Sequence, residues 1–418
     1  MEGISIRTLL RVAEVEVTDD QSNFPESLCC DAVSFGEPLD DKLRFRKSDE
    51  AGNRENFQST TSIWQERPIM QVTRRSFLVT AAAAASAPVF LGATDKAGGK
   101  APVLGEGEHR YEAIHDWGEL PRTIKYGNTH GVCEDSQGNI YVHHTVHATS
   151  DNLDTMVVFD HKGKFVRSWG RQFKGGAHGL TLRKEGSEEF LYLCDFQHGV
   201  VTKRTLKGEE VFTLGYPVES EAYKPKDRNS AVPYRPTNVA IASNGDIYVG
   251  DGYGSSFINQ YNQKAEFIRT FGGLGKGDDQ VDCPHGLWVD TREEPPLLVV
   301  TDRGNSRLQR FTLDGAHVDS ILGTSKMPCY LHERNGEVVI ADLLSKVMIL
   351  DRKNNAVASL GEGEYSNKEW SRVRNQVPGT FVSGRFVCPH CACFDHDGNI
   401  FVVEWVEAGR VTKLRRIA

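Results

Sequence analysis

From about residue 110 to the C-terminus the sequence is built on one repeating unit, and an internal repeat constrains a fold more than any single motif does. One copy runs His130-Gly131-Val132, Gly138-Asn139-Ile140-Tyr141-Val142, Met156-Val157-Val158-Phe159-Asp160 and Phe165-Val166-Arg167-Ser168-Trp169-Gly170. Another runs Pro236-Thr237-Asn238-Val239-Ala240, Gly245-Asp246-Ile247-Tyr248-Val249, Phe257-Ile258-Asn259-Gln260-Tyr261 and Phe267-Ile268-Arg269-Thr270-Phe271-Gly272. The segments are short, rich in alternating or β-branched apolar residues, and split by Asn-Gly, Asp-Gly or other glycine turns, which reads as strands joined by hairpins. No stretch beyond residue 110 shows a sustained helical period. Opening strands recur at His130, His178, Pro236, Pro284, Pro328 and Pro389, and closing aromatic- or leucine-glycine pairs recur at Trp117, Trp169, Leu214, Phe271, Leu322 and Leu360. A closing strand therefore precedes the first opening strand, and the last opening strand has no closing partner after it. The expected fold is all-β: a six-bladed propeller of four-stranded antiparallel blades over residues 109–418, in which an N-terminal strand completes the last blade.

Three histidines fall at the same point of alternate copies: His178, His285 and His390, separated by 107 and 105 residues (285 − 178 and 390 − 285). Alternate blades of six lie about 120° apart, and innermost strands line the channel, so these imidazoles converge on its mouth. Three neutral imidazoles there would bind a divalent metal, zinc being the usual choice, and leave a position open for water or substrate. Histidine is also tolerated at a polar channel mouth simply as a hydrogen-bonding residue. His130 opens an intervening blade and breaks the alternation; it is an additional candidate ligand, an outer hydrogen-bond donor, or a channel residue. Tyr253 and Arg303 follow the second strands of adjacent blades, where their loops should rim the mouth. A phenol near a cation can act as a general base, and an arginine offers a fixed fork for a carboxylate. The plainer alternatives are a tyrosine that caps a hairpin and an arginine paired with Asp302.

Ahead of the repeat, residues 1–69 show no period, and a second methionine, Met70, follows them. Thr73-Arg74-Arg75-Ser76-Phe77-Leu78 and the apolar, alanine-rich stretch to Ala93 read as a twin-arginine export signal, too short for a membrane span. The expectation is an N-terminal extension over 1–69 with translation starting at Met70, a signal over 70–93, a linker over 94–108, and export of the folded propeller to the periplasm or another extracytoplasmic space, with no membrane attachment once the signal is removed. A formal charge of −8 gives no attraction for nucleic acid. Seven cysteines lie in the expected mature part, an odd number, and most sit in apolar strand contexts suited to packing. The run Cys388-Pro389-His390-Cys391-Ala392-Cys393 is a weaker metal candidate, because neighbouring sulfurs alternate across a strand.

The repeat resembles the NHL-repeat propellers, most clearly from Pro284-His285-Gly286-Leu287 through Thr301-Asp302-Arg303-Gly304-Asn305-Ser306-Arg307-Leu308-Gln309-Arg310-Phe311. The constellation of His178, His285, His390, Tyr253 and Arg303 is similar to that of peptidyl-α-hydroxyglycine α-amidating lyase, a propeller enzyme that splits a peptidyl-α-hydroxyglycine into a peptide amide and glyoxylate. The resemblance implies zinc on the three histidines, a catalytic tyrosine at Tyr253 in its Asp-Gly-Tyr turn, and a substrate-carboxylate contact at Arg303, with Asn305 behind it. Two departures stand out. Where that family has a second active-site arginine, this chain reads Val142-His143-His144-Thr145-Val146-His147. Where it has a calcium-binding aspartate after the last metal histidine, this chain has Cys391, which puts the structural calcium in question. The implied activity is a metal-dependent carbon–nitrogen lyase acting on an α-hydroxylated, carboxylate-bearing small molecule or peptide. The rival from another class is a non-catalytic propeller that binds a protein or glycan on its flat face, since fold alone does not choose. A calcium-dependent lactonase-type hydrolase ranks last, because histidines stand where such a site wants carboxylates.

Overall fold

The computed structural model of the chain describes residues 101–417 apart from 228–229, 364–372 and 377. The expected extension 1–69 and signal 70–93 lie outside the described residues. Six antiparallel sheets follow one another along the chain, each paired in simple up-and-down order. Blade 1 is Thr129–Glu134, Ile140–His144, Met156–Phe159 and Phe165–Trp169, and blades 2 to 5 repeat this plan from Ala177, Asn238, Pro284 and Pro328. The opening strands of successive blades lie side by side around the ring, and the last of them, Pro389–Phe394, returns to lie beside Thr129–Glu134. Closure occurs in blade 6, where Pro389–Phe394, Ile400–Glu404 and Arg410–Arg416 are completed by Tyr111–Ile114 from the N-terminal side. One expectation needs correcting. The stretch 94–108 is not all linker, because Val103–Leu104 pairs with Tyr111 and Glu112 as a fifth strand of blade 6. Two residues are too few to show a periodic pattern, so the strand was invisible in the sequence.

Turn chemistry explains why the hairpins close where they do. In the first of them the Asp135 carboxylate accepts from the backbone N–H of Gln137 and of Asn139, both at 2.9 Å, while Gly138 takes the left-handed conformation at φ 80°. The sequence Asp395-His396-Asp397-Gly398-Asn399 repeats the device in blade 6. Apolar side chains on both faces of each blade then meet those of its neighbours. Between blades 6 and 1, for example, Val142, Val157 and Phe159 pack against Phe401, Val403 and Val411. Between blades 1 and 2, Tyr141, Met156 and Val158 meet Leu180, Leu191 and Leu193. The core is thus a ring of inter-blade layers, and the opening strands line the space at its centre with apolar residues such as Leu182, Val239 and Leu331 beside polar ones such as Thr181 and Arg183. The seven described cysteines are buried thiols, in keeping with a packing role. No helix among the described residues is long and apolar enough to cross a membrane.

Candidate metal centre and active site

Each opening strand that carries a mouth histidine starts with a local fault in its ladder, whereas Asn238–Ile241 of blade 3 pairs without one. Pairing with the second strand slips between Thr129 and Gly131, between Ala177 and Leu180, between Pro284 and Leu287, and between Pro389 and Cys391. The residues skipped include His130, His178, His285 and His390. A bulge breaks the alternation of the pleat and re-aims a side chain, which is how these rings leave the sheets and meet one another. The His178 ring centroid lies 4.9 Å from that of His285 and 4.7 Å from that of His390, and the His285 and His390 centroids are 4.6 Å apart. His130 joins them, 4.7 Å from His178 and 4.5 Å from His390. The tightest set of donor atoms is His130, His178 and His390, all within 4.8 Å of one another. His285, expected as a ligand, is not in that set although its ring is as close to the others; the Tyr253 hydroxyl lies near its Nε2 and near that of His178.

The orientation of three rings is set by the blade that follows. Nδ1 of His178 faces the Thr237 carbonyl at 2.7 Å, Nδ1 of His285 the Cys329 carbonyl at 2.9 Å, and Nδ1 of His390 the His130 carbonyl at 2.8 Å. A carbonyl only accepts, so each Nδ1 carries the proton and each Nε2 is left with a lone pair. Glycine makes the approach feasible. A Cβ on Gly179 would sit 2.3 Å from the Thr237 oxygen, and one on Gly286 would sit 2.3 Å from the Cys329 oxygen. The His-Gly pair in the repeat therefore has a steric reason: the glycine admits the carbonyl that holds the preceding histidine.

The Tyr253 hydroxyl lies 3.1 Å from Nε2 of His178 and 3.0 Å from Nε2 of His285. Its turn is fixed by the buried Asp251, which accepts from the backbone N–H of Arg235 at 2.6 Å and of Ser255 at 2.7 Å. Arg303 is buried, with Nη1 3.5 Å from the Tyr253 oxygen and its guanidinium carbon 5.3 Å from the ring centroid. The carboxylate beside it, Asp302, is engaged by Arg307 at 2.7 Å and by Asn305 and Gln309, so Asn305 supports the turn through Asp302.

The donor chemistry fits a cation. Three Nε2 lone pairs converge: the phenolic proton of Tyr253 can serve only one of the two it touches, on His178 and His285, and Nε2 of His390 faces Nδ1 of His130. Burial holds His178 and His285 well below the ordinary histidine range and pushes His390 down to about 3, so the imidazoles stay neutral and ready to donate electron pairs. The expected calcium position is different. Cys391 is buried with its sulfur toward the Val132 carbonyl and adds no carboxylate to the site.

The histidine run after the second strand of blade 1 divides into separate roles. Five blades end that strand on a buried acid: Asp195, Asp251, Asp302, Asp342 and Glu404. Blade 1 has His144 in this place. Its Nδ1 accepts from the backbone N–H of Val146 at 3.0 Å and of Gly127 at 3.4 Å, so a neutral imidazole clasps the loop as a carboxylate does elsewhere. Burial pushes His144 down to about 3 from 6.5. The unfolded chain therefore binds a proton that the folded one excludes. The resulting stability is complete above about pH 6.5 and declines as pH falls toward the folded value, by up to ~1.4 kcal/mol per pH unit. His144→Asn, which keeps an acceptor but nothing to protonate, should make the acid limb shallower in chelator-treated protein, the other buried histidines keeping the rest of it. Denaturant midpoints between pH 7 and pH 5 that fall equally in both proteins would contradict this. His143 contacts the His178 carbonyl at 3.3 Å, and His147 lies in the loop beyond.

Three residues at the mouth escaped the sequence reading: Phe196, Arg374 and Trp405. Phe196 packs edge-on against His178 and Tyr253, at 5.9 and 5.7 Å. Arg374 stacks on Trp405 with its guanidinium carbon 3.4 Å from the ring, and donates to the Asn128 side chain at 2.7 Å. Phe196 and Trp405 each follow the buried acid of their blade, as Arg303 does, and that register could have flagged them. Arg374 lies in an insertion outside the repeat.

Fold and site together define a six-bladed β-propeller with a polyhistidine mouth, and the chain is similar in sequence to peptidyl-α-hydroxyglycine α-amidating lyases and to an NHL-repeat protein. Peptidyl-alpha-hydroxyglycine alpha-amidating lyase 1 of Drosophila melanogaster is 27% identical over 325 residues, covering 67% of this chain and 56% of that protein. A probable peptidyl-alpha-hydroxyglycine alpha-amidating lyase of Caenorhabditis elegans is 25% identical over 271 residues, 63% of this chain and 71% of that protein. NHL repeat-containing protein 3 of Mus musculus is 27% identical over 203 residues, 46% of this chain and 55% of that protein. The chain thus matches little more than half of the fly lyase. No protein-family model matches the chain.

Proposed function

We propose that the protein is a zinc-dependent carbon–nitrogen lyase acting on an α-hydroxylated, carboxylate-bearing substrate of the peptidyl-α-hydroxyglycine type. The observation that carries this reading is the Tyr253 hydroxyl, held between two histidine nitrogens and beside Arg303. His178, His285 and His390 would hold the metal through Nε2. Bound there, zinc supplies Lewis acidity toward a substrate oxygen and favours loss of its proton. Arg303 binds the substrate carboxylate and fixes the carbinol carbon at the mouth, and its charge also stabilises a phenolate on Tyr253. That phenolate takes the hydroxyl proton; the O–H electrons become the second bond of a carbonyl, and the C–N pair leaves with nitrogen. Nitrogen then takes a proton from the Tyr253 phenol, which returns the side chain to its starting state and releases an amide and glyoxylate. Phe196 covers one side of the tyrosine and limits water there. The reaction would take place after export of the folded protein.

The test is direct. Zinc-loaded protein incubated with a peptide ending in α-hydroxyglycine should release glyoxylate and the shortened peptide amide in equal amounts. Glyoxylate release no faster than in buffer would sink this substrate assignment.

A further inference from the structure

Four histidines meet at the mouth, and the fourth is oriented unlike the others. Around the ring each opening residue offers its carbonyl to the histidine behind it: Thr237 to His178, Cys329 to His285 and His130 to His390. By the same rule the His178 carbonyl should hold His130. It is met instead by Nδ1 of His143, at 3.3 Å, from the second strand of blade 1. Nδ1 of His130 points into the cluster and lies 3.3 Å from Nε2 of His390.

That contact has two chemical meanings. In metal-free protein, His130 donates its Nδ1 proton to the His390 lone pair. With an ion on His390 Nε2 that lone pair is engaged, and a proton between the two nitrogens has no acceptor. His130 then moves its proton to Nε2 and presents a lone pair at Nδ1. Two nitrogens bound to one tetrahedral ion at about 2.0–2.1 Å lie roughly 3.3–3.4 Å apart. The observed separation is 3.3 Å without any movement. His130 also belongs to the tightest donor set, with His178 and His390.

We infer that His130 is a fourth nitrogen ligand of the ion, bound through Nδ1 where the other three bind through Nε2, and that His143 is the positioning residue that makes this possible by occupying the His178 carbonyl. The inference rests on the metal reading above and adds a ligand to it. The ion then has four nitrogens and takes substrate as a fifth donor. His130 supplies its nitrogen between blades 6 and 2, away from the Tyr253 hydroxyl that separates His178 from His285.

Metal-free protein titrated with Co²⁺, followed by its visible absorption, tests this without using turnover. His130→Ala and His130→Gln should each weaken Co²⁺ binding by at least about the 10–100-fold that loss of an outer-shell partner costs, and change the band pattern to that of one fewer nitrogen ligand. His143→Leu never touches the ion, yet it should give the same spectral change, because the vacated His178 carbonyl recaptures His130. Circular dichroism checks that each variant keeps its sheets. Wild-type spectra and affinity in both His130 variants, with Co²⁺ lost in His285→Ala, would overturn the fourth ligand and leave the three-histidine site standing. A wild-type spectrum in His143→Leu would overturn the positioning role. Failure of the wild-type protein to bind Co²⁺ would overturn both the inference and the metal reading beneath it.

Discussion

Tyr253→Phe should lower turnover by about 10²–10⁴-fold, the usual contribution of a positioned general base, while bound metal and thermal stability stay near wild type. The substitution removes one oxygen and little else. The ring keeps its edge contacts with His178 at 5.0 Å and Phe196 at 5.7 Å, and Arg303 keeps a face to lie over at 5.3 Å. What disappears is the hydroxyl 3.1 Å from His178, 3.0 Å from His285 and 3.5 Å from Arg303. Arg303 still receives the carboxylate, so the loss should appear in kcat with KM nearly unchanged, as expected when an interaction made only in the transition state is removed. Glyoxylate release and elemental analysis on the same preparation measure both quantities. Unchanged turnover removes the phenol from the chemistry. Loss of metal together with turnover would instead make Tyr253 part of the ion's own shell.

How much of this was legible beforehand depends on the distance over which each feature is encoded. The six blades were readable because a hairpin is local: Gly138-Asn139 or Asp246 between two β-branched runs states its own register, and repetition supplied the ring. The closing strand at Tyr111–Ile114 followed from counting openings against closings, whereas Val103–Leu104 had nothing to count. At the mouth, the shared register of His178, His285 and His390 was visible as spacing, and Tyr253 and Arg303 as loop positions. Their hydrogen-bond geometry was not. It arises from bulges in the opening strands and from carbonyls of a neighbouring blade some 45 to 60 residues further on, as with His178 and Thr237 or His285 and Cys329. His143 and His144 were conspicuous as a pair but uninterpretable. One answers to a carbonyl of blade 2 and the other replaces an acid, and only the superposition of blades shows that. Arg374 belongs to no repeat, so no spacing pointed to it.

His285→Ala should abolish turnover and weaken the bound ion without removing the His130, His178 and His390 donors, and it separates the lyase from a propeller that merely binds a partner. Nε2 of His285 lies 3.0 Å from the Tyr253 hydroxyl, and its ring is pinned at Nδ1 by the Cys329 carbonyl. Alanine deletes one nitrogen donor and leaves that carbonyl without its histidine. His130, His178 and His390 still meet, so a residual ion is held more weakly and lacks its donor on the His285 side of the Tyr253 hydroxyl. Elemental analysis should fall from about one zinc per chain to well below that in the variant after dialysis against a weak chelator. Stability offers a second readout independent of activity. A ligand held by the native state at 1,000 times its Kd stabilises by about 4 kcal/mol, which a thermal scan detects as a higher melting temperature in zinc than in chelator. The wild type should show that difference and His285→Ala much less of it, while the two proteins in chelator melt close together. Equal melting of the wild type in zinc and in chelator, with no metal in the purified protein, would leave the polyhistidine mouth as a hydrogen-bonded channel lining and favour the binding propeller.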